Sequence, residues 1–110
     1  MEPKTKEKEI KKDKNPYRYI LPTNLWKEAK FNNYNQKEFG FFILEKRVII
    51  APIKEAENLP LLEFLSFDPK HRFSMDANVR NFFKKYIDNN FYFTYEKKYP
   101  KFIFINEKEY

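Results

Sequence analysis

Apolar and polar residues along this chain fall into short stretches whose period switches from two to about 3.6 and back again. Residues 17–22, YRYILP, alternate and stop at Pro22, as a short strand does when a proline opens the next element. TNLWKEAKF follows, with Thr23 or Asn24 as a cap and Leu25 and Ala29 one turn apart, which predicts one or two helical turns. The polar stretch NNYNQKE predicts a turn. FGFFIL and RVIIAPI then read as two strands joined by Glu45 and Lys46, a tight hairpin without the favoured Asn-Gly or Asp-Gly. Beyond residue 66 the same order returns. HRFSM predicts a strand, DANVRNFFKKY a helix capped by Asp76 with Val79 and Phe83 on one face, and FYFTY and KFIFIN two strands joined by EKKYP. Ahead of both sets, residues 1–15 hold one apolar side chain after Met1, Ile10, and predict a flexible Lys-rich arm.

The two sets align at one offset. Arg18 falls on Arg72, Leu21 on Met75, Leu25 on Val79 and Ala29 on Phe83, each 54 positions apart, and Ile49 and Ile50 fall on Ile103 and Phe104 at the same offset. The chain therefore reads as an internal duplication: a first unit over 16–54, an acidic linker over 55–66, a second unit over 67–106 and a tail over 107–110. A strand, a short helix and a hairpin cannot bury their apolar faces alone. Two such units can complete one barrel between them, so the expected fold is mainly β with short helices and an intrachain pseudo-two-fold.

Composition narrows the classes. With 110 residues the chain forms one compact domain or two very small ones, burying about 60–70% of its unfolded surface. Aromatic residues make up 20% of it, so Phe and Tyr must fill much of the core. The absence of cysteine excludes disulfides and thiolate metal sites and favours a reducing compartment. One histidine, His71, cannot build a His-rich zinc site, and no cofactor-binding motif is present. No apolar run approaches a membrane span and the N-terminus lacks a signal-peptide core, so no membrane partner and a cytoplasmic, nucleoid-associated location are expected. The net charge of +6 is uneven: residues 1–15 carry +2, 16–54 carry +4, 55–66 carry −3 and 67–110 carry +3. Two basic units flanking an acidic connector suit a polyanion such as double-stranded DNA. The bland alternative is that surface lysines keep the protein soluble.

The densest chemistry lies in residues 68–83, DPKHRFSMDANVRNFF. A carboxylate at Asp68 can hold Arg72 in a charge-assisted pair, aiming the guanidinium at a phosphate or a guanine edge before either arrives. It can equally be a structural ion pair that closes the start of the strand. If Arg72 reaches DNA, its mate Arg18 should do so too. Lys27, Arg80, Lys84 and Lys85 lie on or beside the two helices and would add phosphate contacts, although lysine on a helix is more often only solvated.

The run D-x-K-x-R-F-S-M-x-A-x-V-R-x-F-F resembles the strand-and-helix motif of the MraZ division-cluster regulators, and R-Y-I-L-P-T-N-L-W-K-E-A is similar to the wider AbrB and MazE group. The resemblance spans about residues 16–106. It implies a swapped-hairpin, double-split β-barrel from two tandem strand-helix-hairpin repeats, and sequence-specific binding of double-stranded DNA as a transcriptional regulator. It also implies a basic helix position at Arg80, and admits a homo-oligomer or a toxin as further partners. The sequence departs from the pattern at Lys14, where the first repeat should carry Asp, at Asp76, where the second should carry proline, and at Tyr17 and His71, where glycine is usual.

Other constellations are weaker. Phe39, Phe41, Phe91 and Phe93 could stack on bases, but their alternation fits core strand faces better. His71 reads as a surface histidine and Trp26 as a lid on the core. No nucleophile-base pair or glycine-rich phosphate loop is present, so no enzymatic activity is expected. The alternative function is an antitoxin-like or other protein-interaction module without sequence-specific DNA binding.

Overall fold

The computed structural model describes residues 18–83 and 91–107. Along the chain run β1 (Arg18–Ile20), α1 (Thr23–Glu28), β2 (Phe39–Leu44), β3 (Arg47–Pro52), β4 (Leu61–Leu65), β5 (Arg72–Ser74), α2 (Ala77–Arg80), β6 (Phe91–Tyr95) and β7 (Ile103–Glu107). Short 3₁₀ turns at Phe31–Asn33 and Ile53–Glu55 punctuate the loops. The structure is mainly β, as the periodicity predicts. The strand-helix starts keep the offset read from the sequence: β1 and β5, and the first residues of α1 and α2, stand 54 positions apart.

The caps differ from expectation. Pro22 occupies the N-cap of α1, so Thr23 and Asn24 are already helical, and the proline's fixed φ of −58° sets the entry. Asp76 does hold the N-cap of α2, but its side chain makes no capping hydrogen bond. Glu45 and Lys46 form the tight β2–β3 turn with φ of 52° and 67°, both left-handed, which is why Asn-Gly is favoured in such turns.

The strands build two antiparallel sheets, the ribbon β1–β5 and a five-stranded sheet in the order β4-β2-β3-β7-β6. Neither closes into the barrel expected from the sequence. Two three-residue strands are long enough to pair only with each other, and β4 takes the outer edge of β2. That edge strand lies inside the stretch 55–66 read as a linker, which is therefore more than a connector. Its register on β2 shifts between Phe41 and Phe42, leaving Leu62 as a bulge. Gly40 is the residue that lets it approach, since a Cβ there would stand 2.9 Å from Leu61 Cδ1 and 3.0 Å from Phe42 Cε1.

Both ladders obey a local two-fold. In the ribbon, Tyr19 lies opposite Phe73, residues that the offset of 54 makes equivalent, so the axis passes through that pair. In the large sheet, Ile49 lies opposite Phe104 and Ile50 opposite Ile103. A two-fold between antiparallel strands keeps each residue on its own face of the sheet, because side chains alternate. Ile49 and Phe104 belong to one apolar cluster, and Ile50 and Ile103 to the other. The sequence alignment of Ile49 on Ile103 is thus one residue out. Val48 on Ile103 and Ile49 on Phe104 satisfy the pleat, and the paired ladders then place Phe39 on Phe91 and Phe41 on Phe93.

The main core is shared by both units. Leu21, Trp26, Phe39 and Ile50 from the first are buried with Phe73, Met75, Val79 and Ile103 from the second. Packing crosses between them: α1 lies against β6, the Tyr19 ring meets Phe91 at 5.8 Å, and Phe73 meets Phe41 at 6.0 Å. A second, smaller cluster around Phe42, Ile49 and Phe104 covers the outer face of the large sheet.

Candidate nucleic-acid interface

The loop from Asp68 to Arg72 is closed by one carboxylate. Asp68 Oδ1 accepts the backbone N–H groups of Lys70 and Arg72, each at 2.9 Å, and Oδ2 accepts Nε of Arg72 at 2.6 Å. The Asp68 N–H in turn donates to the Arg72 carbonyl at 3.0 Å, and the His71 N–H to the Asp68 carbonyl at 2.9 Å. These donors, the backbone N–H of Arg72 foremost, hold the Asp68 carboxyl below the usual carboxylate range against a smaller opposing effect of burial. The DxxxR spacing is thus the span of a turn in which one side chain caps the loop and grips the arginine. The salt bridge engages Nε, leaving the two Nη groups outside that hydrogen bond.

This turn requires left-handed backbone at the residue before the arginine. His71 has φ 64°, a conformation that glycine adopts without steric cost. A side chain there costs about 1–2 kcal/mol. The His71 ring stacks on Trp26 at 3.9 Å and 6° between planes, which offsets part of it. His71 is therefore half-buried against the first unit's helix, not a solvated surface histidine. Trp26, 6% exposed, packs in the core as its sequence context suggests.

In the ribbon, Tyr19 and Phe73 face the core, so Arg18, Ile20, Arg72 and Ser74 share the opposite face. Arg18 sits across from Ser74 and Arg72 across from Ile20. The two arginines are diagonal neighbours, about 7–8 Å apart at the backbone, and the local two-fold exchanges them. Both also line a shallow cavity of about 370 Å³ between the ribbon and β4, together with Glu63, Phe64, Asp68 and Asp76. Three carboxylates accompany the two guanidinium groups there. Attraction for a polyanion is therefore a property of the whole chain's charge, not of this cavity.

The other candidates divide. Lys27 is exposed on α1. Arg80 is half-buried and its Nε donates to the Met75 carbonyl at 2.9 Å, a strap over its own short helix. Lys84 and Lys85, like the arm over 1–15, lie outside the described residues.

Sequence reasoning missed two features. Ile20 is 61% exposed on the arginine face, across from Arg72, because a three-residue strand is too short for alternation to reveal its outer face, and Phe64 on β4 is 68% exposed. Arg47 was also passed over. It donates to Glu96 and to Asn106, both at 3.0 Å, and lies 3.9 Å over the Phe104 ring. Among the described residues no helix is long and apolar enough to cross a membrane. Comparison with models of known families, with characterised proteins and with solved structures finds no match to this chain.

Proposed function

We propose that this protein is a sequence-specific DNA-binding transcriptional regulator of the AbrB/MraZ type, in which two tandem units do within one chain what two subunits do elsewhere. One observation carries this: the ribbon presents Arg18 and Arg72 on a single exposed face, exchanged by a local two-fold, with Asp68 holding the second of them. Tyr19 packs on the second unit's hairpin, and Phe73 on both the first unit's hairpin and its own, so the two units are interleaved, although the sheets stay open. Lys27 and the Lys-rich arm add phosphate attraction that does not depend on sequence.

A gel shift against the gene's own upstream region, run across salt concentrations, tests the proposal. Arg72→Ala should weaken specific binding by about tenfold or more, the range of one lost arginine-guanine pair. Its melting temperature should stay close to the parent's, because a half-exposed ion pair contributes about 0–1 kcal/mol. Arg18→Ala should behave alike, and Asp68→Asn should lose less. An Arg72→Ala protein that binds as tightly as the parent would sink the proposal. Exposed Phe64 and Leu61 on the edge strand favour a second reading, an antitoxin-like module that binds a protein partner there.

A further inference from the structure

The two-fold that exchanges Arg18 and Arg72 does not exchange like with like at the other two positions of the ribbon face. It places Ile20, 61% exposed, on Ser74. Resting on the DNA-binding reading above, we infer that Ile20 is a specificity-determining residue, which reads a thymine methyl in one half of an otherwise dyad-symmetric site.

The argument starts from size. The major groove of B-DNA is about 12 Å wide and admits a two-stranded β-ribbon. A ribbon of two three-residue strands offers only the side chains of its outer face to such a groove, and here those are Arg18, Ile20, Arg72 and Ser74. The diagonal spacing of the arginines, about 7–8 Å, corresponds to about two base-pair steps of 3.4 Å. Because a two-fold relates them, they meet guanines on opposite DNA strands. Each arginine has one cross-strand neighbour: Ser74 beside Arg18, and Ile20 beside Arg72. A serine hydroxyl donates or accepts and tolerates several bases, whereas an isoleucine can only gain by covering an apolar group. In the major groove that group is the thymine C5-methyl. Tyr19 and Leu21 on either side of Ile20 already turn to the core, so Ile20 itself is left on the outer face. The expected site is thus a short dyad with guanine on each strand and a thymine preference in the half facing Ile20 and Arg72 alone.

The test is selection from random-sequence duplexes by the full chain, repeated with Ile20→Ser and Ile20→Val. The parent should enrich a dyad with thymine in one half, and uracil in place of that thymine should weaken its binding about fourfold, the loss of one buried methyl-sized contact. Ile20→Val should keep the preference. Ile20→Ser should enrich a symmetric site and bind the thymine and uracil duplexes equally. If Ile20→Ser still prefers thymine over uracil, or the parent is indifferent to the exchange, the inference fails while the DNA-binding reading stands. If the parent enriches no sequence at all, the DNA-binding reading fails and takes the inference with it. Should Ile20→Ser melt early, the parent's response to uracil decides the matter alone.

Discussion

Among the described residues, four without the freedom of glycine hold left-handed backbone: Lys30, Glu45, Lys46 and His71. Each adopts it because a turn leaves no alternative, and each stores a little strain. Glu45 and Lys46 are both exposed, so the core does not dictate these residue types. Replacing the pair by Asn-Gly should stabilise the protein by about 1–2 kcal/mol, the left-handed strain removed less the extra chain entropy of glycine. Urea unfolding measures this, and an unchanged midpoint would mean that the turn is not strained. Asp68 adds a pH dependence. The backbone N–H of Arg72 holds its carboxyl below the ordinary value of 3.8, so its contribution is fully present above that value and is lost as pH falls through the lowered folded pKa. Melting temperature followed from neutral pH into acid should therefore drop less steeply below 3.8 in Asp68→Asn than in the parent. Identical acid profiles would show that the carboxylate is not gripped as described.

At the scale of elements, local pattern and local structure agree where alternation is long enough. β2, β3 and β7 carry four, five and three buried positions in runs that strands covered on both faces produce. β4 was illegible because its five residues, LLEFL, pair on one side only and carry a bulge, so no clean period survives. The hairpins are tied by a network that no pattern announces. Arg47 on β3 reaches Glu96 after β6 and Asn106 on β7, and Asn106 passes a hydrogen bond to Thr94 on β6 at 3.1 Å. Arg47→Ala should destabilise by about 1–2 kcal/mol, combining a half-exposed ion pair with its contact over Phe104. Arg47→Lys should recover only part of this, since an ammonium lacks the planar fork that spans Glu96 and Asn106 while lying over the Phe104 ring. Full recovery by lysine would reduce the network to simple charge attraction.

For the whole molecule, the unit of stability is the pair of repeats. The main core draws buried residues from both, and β3 has β7 as its second neighbour. A fragment ending at Pro60 would expose Leu21, Trp26, Phe39 and Ile50 to water on their second-unit side. It should be unfolded or self-associated, as read by NMR dispersion and sedimentation. A monomeric fragment with a cooperative melt would show that the first unit holds a core of its own.

The amino-acid sequence by itself determined the mainly β character, the order strand-helix-hairpin and its repetition, and the spacing that lets Asp68 grip Arg72. All of these depend on neighbours within a few residues, where side-chain period and turn chemistry act directly. Only the tertiary structure decided that the ladders stay open, that residues 61–65 form an edge strand, that His71 stacks on Trp26, and that Ile20 stands exposed across from Arg72. Pairing across more than 50 residues sets these, and register is the reason. A slip of one position turns every side chain of a strand to the other face, as the displacement of Ile49 from Ile103 to Phe104 shows, and nothing in a single strand's own sequence reports which partner residue it will meet.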